Sequence, residues 1–170
     1  MCGFIAAFTK DDFPPHAAKA ALDRLYRRGP DAEGEYRDSG VFFGHRRLAI
    51  IDLDRRSSQP MTSGCGRYVI VFNGEIYNYR SLREELISEG VHLRTESDTE
   101  VILELFAKHG EKSVFKLNGM FAFVIWDSVA RVAFAARDPY GIKPLYIGLM
   151  RNGLVLSSQV KAILATKQVS

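Results

Sequence analysis

The amino-acid sequence predicts an α+β fold built on antiparallel sheets. Apolar runs of strand length recur along the chain, with Tyr68–Phe72 apolar at every position. Helical patterns cluster between runs of strands without regular β-α-β alternation, which argues against a doubly wound parallel sheet. Phe121–Trp126 and Val132–Ala136 also read as hairpin partners joined through Asp127–Arg131.

The elements follow in order. Gly3–Phe8 is a short apolar run suited to a buried strand with Cys2 at its start. Pro14-Pro15 opens a helix through about Arg27, with Ala17, Ala21, Leu22, Leu25 and Tyr26 on one face. Arg28-Gly29-Pro30-Asp31 stops it, because Gly and Pro break the pattern. Val41–Ile51 reads as a strand interrupted by polar residues, and a polar loop runs from Asp52 to Gly66. Tyr68–Phe72 then leads straight into Asn73-Gly74-Glu75-Ile76-Tyr77-Asn78. A helix from about Asn78 to Glu89 carries Leu82 and Leu86 one turn apart and stops at Gly90. Ser97-Asp98-Thr99-Glu100 precedes another helix, with Val101, Ile102, Leu105 and Phe106 on its apolar face and its end near Gly110. After the hairpin come strands at Leu145–Leu149 and Leu154–Ser157, and a closing helix over Gln159–Leu164. No internal repeat, linker or second domain is visible.

The 170 residues suit one domain with a substantial core. Apolar residues at 46% and charged residues at 25% are ordinary for a globular protein. A formal charge of +3, with no basic run longer than two, gives no reason to expect nucleic acid. No apolar window is long enough to span a bilayer, and Cys2–Phe8 lacks the basic flank and length of a signal peptide. Two distant cysteines make no disulfide framework. The expected setting is reducing and cytoplasmic, where a thiol stays available. The four histidines (16, 45, 92 and 109) show no metal-ligand spacing, so no metal is expected.

Several residues offer chemistry, each beside a plainer reading. If Met1 is removed, Cys2 carries a free α-amine next to its thiol. Their ordinary pKa values of roughly 7.7–8.0 and about 8.5 put a base and a nucleophile on one residue near neutral pH. Alone, a second-position cysteine carries little weight. Asn73-Gly74 is a strong hairpin-turn signal. It would equally leave a side-chain amide and a glycine N–H at a strand's carboxyl end, two donors suited to an oxyanion. Asp98 fits a capping role in the first helical turn, with Ser97-x-x-Glu100 as a capping box, or could hold a ligand ammonium. Arg47 interrupts an apolar strand with a fork suited to a carboxylate, or is a surface arginine. Glu75 is a solvated turn carboxylate on the plainer view, Arg137–Leu145 a loop shaped by two prolines and a glycine, and Cys65 an exposed loop thiol.

Taken in order, these segments resemble the class II glutamine amidotransferase domain, an N-terminal-nucleophile hydrolase. The match runs through Met1-Cys2-Gly3, Arg28-Gly29-Pro30-Asp31, His45–Asp52, Gln59-Pro60-Met61, Asn73–Asn78, Ser97–Glu100, Gly119–Ala122 and Arg137–Tyr146. One such motif is weak; the series in register is strong. Arg47-Leu48-x-Ile50-x-Asp52 and Asn73–Asn78 are similar to the asparagine synthetase branch.

The resemblance implies a four-layer αββα sandwich and hydrolysis of L-glutamine to glutamate and ammonia. Cys2 would be the nucleophile, and Asn73 with the Gly74 N–H would hold the oxyanion. Arg47 would take the substrate α-carboxylate, Asp98 and Glu75 its α-ammonium, and backbone from Leu48 through Ala49 and Ile50 to Ile51 would line the pocket. No cofactor is implied for this domain. ATP and Mg2+ belong to a synthetase domain, whose Ser-Gly-Gly-x-Asp-Ser-type loop is not among these residues. The implied partner is a synthetase domain or subunit that consumes ammonia, and self-association as a homodimer is left open alongside it. Gln159 stands where the family has Glu. Two competing functions are an amidotransferase for another acceptor, such as a sugar or natural-product carboxylate, and an idle docking or regulatory module. A retained Met1 would favour the idle module, because it locks the Cys2 amine in an amide.

Overall fold

β1 (Gly3–Thr9) is the central strand of the first sheet, flanked antiparallel by β3 (Val41–Arg47) and β9 (Gly153–Ser157). The computed structural model describes residues 2–49 and 54–169. β2 (Ala32–Asp38) and β8 (Tyr146–Met150) complete this sheet in the order β2-β3-β1-β9-β8. The second sheet has the order β4-β5-β6-β7, from Met61–Thr62, Tyr68–Ile76, Gly119–Asp127 and Val132–Arg137. Every pairing in both sheets is antiparallel. Among the described residues there are four α-helices: α1 (Pro15–Leu25), α2 (Tyr79–Ser88), α3 (Asp98–His109) and α4 (Val160–Ala165).

Strand periodicity divides the core into three layers of side chains. Along β1, Ile5 and Ala7 point outward, packing with Ala17, Ala21 and Leu22 of α1 and Ile163 of α4. Phe4 and Ala6 point inward, where Phe43, Val69, Val71, Val124 and Leu156 fill the space between the sheets. On the far side, Ile70, Phe72 and Phe123 meet Leu86, Ile102 and Leu105 of α2 and α3. The result is the αββα sandwich that the resemblance implied. Polar ties also cross between sheets: His45 Nε2 lies 3.3 Å from the Phe72 carbonyl oxygen, and Trp126 Nε1 donates to Asp38 at 3.0 Å.

The structure departs from the sequence reading in several places, one being β4 within the expected Asp52–Gly66 loop. Tyr26 leaves the apolar face of α1, because the helix tightens into a 3-10 turn over Tyr26–Arg28 and exposes it. The strand expected over Val41–Ile51 ends at Arg47; Ile50 and Ile51 lie outside the described residues. β2 was not anticipated: the stretch between Asp31 and Val41 has no apolar run, and the sequence reading places no element there. It is an edge strand held chiefly by backbone pairing to β3. Finally, Asn73-Gly74 makes no turn. β5 runs unbroken through both to Ile76, in one-to-one register with β6, so pairing outweighs the local turn preference. The turn comes later, at Tyr77-Asn78.

Candidate active site

Cys2 sits at the mouth of β1, where β3 has just ended. Its thiol and the Leu48 backbone are mutual partners: the Leu48 N–H donates to Sγ at 3.4 Å, and Sγ lies 3.6 Å from the Leu48 oxygen. The Arg28–Asp31 turn braces this wall. A side chain on Gly29 would collide with the Arg46 carbonyl, so glycine permits the close approach. Asp31 N–H then donates to the Arg47 carbonyl at 3.0 Å, and its carboxylate accepts from the Ala49 N–H at 2.9 Å.

Cys2, Arg47, Leu48, Asn73, Gly74, Glu75 and Asp98 all line one pocket. Ala49, expected to line the pocket, is not among its lining residues; the Asp31 carboxylate holds its N–H. Arg47 projects from the end of β3, largely buried, and donates to the Asp54 carbonyl at 2.9 Å. Burial pushes the Cys2 thiol above its ordinary pKa, while the Leu48 N–H and the Arg47 charge pull it back without reversing the shift.

Asn73 carries the sharpest feature. It is 1% exposed, and neither its Oδ1 nor its Nδ2 has a hydrogen-bond partner among the described residues. Leaving such groups unpaired typically costs about 1–3 kcal/mol, so a folded chain retains them chiefly where something else completes them. Its side chain shares the inward face of β5 with Val69 and Val71, pointing toward the sheet that carries Cys2.

The neighbouring Gly74 N–H is placed by the pleat. Both polar groups of Phe121, opposite Gly74, bond to Asp138 on the β7 side, at 3.2 and 2.8 Å. Gly74 and Phe121 are therefore a non-hydrogen-bonded pair, and the Gly74 N–H points to the free edge of β5. The N–H groups of Phe72 and Ile76 face that edge too. Gln59 Oε1 takes the first at 2.6 Å and Asp98 Oδ2 the second at 3.1 Å. The middle donor opens toward the pocket. A Cβ on Gly74 would collide with the Met120 carbonyl, so the position admits only glycine without a shift.

Asp98 thus does more than begin a helix. Ser97 caps α3 by accepting from the Thr99 N–H at 3.1 Å. The capping box stays open, since Glu100 turns to the N–H groups of Arg94 and Thr95 instead. Asp98 bonds across to β5, and burial raises its pKa to about 6, assisted by Glu75 and opposed by the Ile76 and Thr99 N–H groups. His45 is fully buried, and burial lowers its pKa to about 3. It is neutral, with its proton on Nε2 because the Phe72 carbonyl can only accept.

Sequence reasoning missed Ser57, Gln59, Phe72, Ser97, Thr99, Met120 and Lys143 as pocket residues. Gln59 and Lys143 lie in segments that carried the family resemblance; only the tertiary fold brings them to Cys2. The structure also places His109 beside Glu85 and Glu89, with donor atoms within 4.8 Å of one another. Lys108 and Lys116 already pair with those carboxylates. No helix among the described residues is long and apolar enough to cross a membrane.

The αββα fold is that of a glutamine amidotransferase domain. The chain superposes with a TM-score of 0.83 on glutamine phosphoribosylpyrophosphate amidotransferase from B. subtilis, covering 99% of this chain and 44% of that one at 22% identity. Residues 1–170 match the glutamine amidotransferase domain model, and the chain belongs to that family. Among its relatives is asparagine synthetase [glutamine-hydrolyzing] 1 of Bacillus subtilis, 41% identical over 98% of this chain and 27% of that protein. A probable asparagine synthetase of Dictyostelium discoideum is 41% identical over 96% of this chain and 30% of its own length. A putative one of Mycobacterium tuberculosis is 42% identical over 96% and 28%. The chain therefore spans less than a third of these relatives.

Proposed function

We propose that this domain hydrolyses L-glutamine through Cys2, releasing glutamate and supplying ammonia to a synthetase domain or subunit of asparagine synthetase type. The observation that carries the reading is Asn73: a buried amide with neither polar atom partnered among the described residues, facing the pocket that holds a thiol.

With Met1 removed, the Cys2 α-amine takes the thiol proton as Sγ attacks the side-chain amide carbon. The carbonyl electron pair moves onto oxygen, where Asn73 Nδ2 and the Gly74 N–H hold the oxyanion. Collapse breaks the C–N bond, and the protonated amine returns its proton to the leaving nitrogen as ammonia departs. Water, activated by the same amine, attacks the γ-glutamyl thioester, and glutamate leaves as the thiol reforms. Arg47 receives the substrate α-carboxylate, and Asp98 with Glu75 its α-ammonium. Every step uses protein groups, with ATP and Mg2+ assigned to the synthetase partner.

Glutamate release from glutamine by the purified protein, lost in Cys2→Ala, is the expected result, alongside an intact mass lacking one methionine. Retained activity in Cys2→Ala would overturn the mechanism. A retained Met1 with no activity would favour the idle docking module.

A further inference from the structure

The Arg137–Leu145 segment is more heavily organised than a connection between two strands requires. The Asp138 carboxylate, itself buried, accepts from four backbone N–H groups: Phe121 at 3.2 Å, Tyr140 at 3.1 Å, and Ile142 and Lys143 at 2.9 Å. Burial works against its charge, yet these donors outweigh burial and hold its pKa below the usual range. Arg137 clamps the outer side, donating to the carbonyls of Gly141 and Lys143. Gly141 takes the left-handed φ of 63° that lets the chain reverse. Anion and cation together close the loop around one outcome: the Lys143 side chain enters the Cys2 pocket, with the residue only 3% exposed.

A buried ammonium is tolerated where polar groups or opposite charges meet it, as Glu75 and Asp138 do for Lys143. We propose that Lys143 is an electrostatic positioning residue for the glutaminase reaction, its fixed positive charge favouring the Cys2 thiolate and so the attacking form of the nucleophile. This rests on the reading of Cys2 as nucleophile. The charges around it are Arg28 after α1, Arg47 on β3, Glu75 on β5, Asp98 on α3 and Asp138 in its own loop. Arg28 adjoins the site directly, because its Cβ packs against Gly3. Burial and then Arg28 push the Lys143 ammonium down, while Glu75, Asp138 and Cys2 itself support the charge. Positive and negative neighbours thus surround both groups; Arg47 also favours the Cys2 thiolate, and Lys143 differs from it in that its own loop is built around its placement.

The test is the pH dependence of Cys2 alkylation by iodoacetamide, read by mass spectrometry of the amino-terminal peptide in a Cys65→Ser background. Lys143→Met should raise the midpoint of thiolate formation by about one unit, a roughly tenfold slower alkylation below the midpoint. Lys143→Arg should hold the midpoint near the parent's. Unfolding of Lys143→Met is checked by circular dichroism, with Lys143→Gln as the second neutral variant. An unchanged midpoint in a folded neutral variant would overturn the proposal. So would collapse of both neutral variants with Lys143→Arg intact, since the ammonium would then serve the fold. Alkylation needs no turnover, so this result separates from a failure of the glutaminase reading, which Cys2→Ala kinetics report.

Discussion

Asn73 and Asp98 are each left in an unfavourable state by the resting fold, one as an unpartnered buried amide and the other as a buried carboxylate with a raised pKa. The Asn73 amide meets no partner among the described residues, so replacing it should change the reaction far more than the fold. Asn73→Ala is expected to lower kcat by about 10²–10³ with KM little altered. Stability by chemical denaturation should move by less than about 1 kcal/mol, because a small cavity offsets the removal of unmet polar groups. A large loss of stability at unchanged kcat would assign Asn73 to the core. Asp98 sets a pH limb. Its pKa is raised to about 6, so the carboxylate that would hold an ammonium is present above that pH and protonated below it. The ratio kcat/KM reports free-enzyme groups and should fall as pH drops through about 6. Asp98→Asn should lower the plateau and abolish that limb. At this scale the sequence supplied residue types but not their company. Carboxylate, guanidinium, amide and thiol were all visible, whereas their meeting at residues 2, 47, 73 and 98 depends on contacts across two sheets.

Elements were legible where a periodic pattern was strong and obscure where backbone pairing alone decided. α1, α2 and α3 follow their apolar spacing. The hairpin of β6 and β7 also forms, with Phe121 to Trp126 inside it. β2 escaped because an edge strand with Glu33, Glu35 and Arg37 at alternate positions has no apolar run to mark it. Asn73-Gly74 misled because a two-residue turn signal is local, whereas β6 offers β5 partners along its full length. The loop ending in Lys143 was visible as Pro and Gly punctuation only; its internal wiring needs coordinates. Asp138 is the element-scale test of that wiring. Asp138→Ala strands four backbone N–H groups, and hydrogen bonds to a charged acceptor contribute about 1.5–3 kcal/mol each, without full additivity. Unfolding free energy should drop by at least about 3 kcal/mol and glutamate release should fall with it. A variant within about 1 kcal/mol of the parent, with normal turnover, would show that the loop is held some other way.

At the scale of the whole molecule, the sandwich brings the start of β1 opposite the carboxyl half of β5. His45 links the two sheets at that end, from β3 to the Phe72 carbonyl, one residue before Asn73. Its pKa is lowered from 6.5 to about 3, so folding favours the neutral ring. The stabilisation is complete above the unfolded pKa and is lost as pH falls from about 6.5 toward 3. The stability advantage of the parent over His45→Gln should therefore shrink across that interval, as measured by urea unfolding at successive pH values. An advantage independent of pH would mean that the ring titrates normally. The αββα order itself was reachable only through family resemblance, because composition and periodicity stop at an α+β fold with antiparallel sheets. The central claim is that the two sheets assemble a glutamine site around Cys2. It is tested most directly by treating the protein with an electrophilic diazoketone analogue of glutamine and mapping the adduct by mass spectrometry. One adduct per chain on Cys2, blocked by excess glutamine and matched by loss of glutamate release, is the predicted result. Modification at Cys65, or inactivation that leaves Cys2 unmodified, would contradict it.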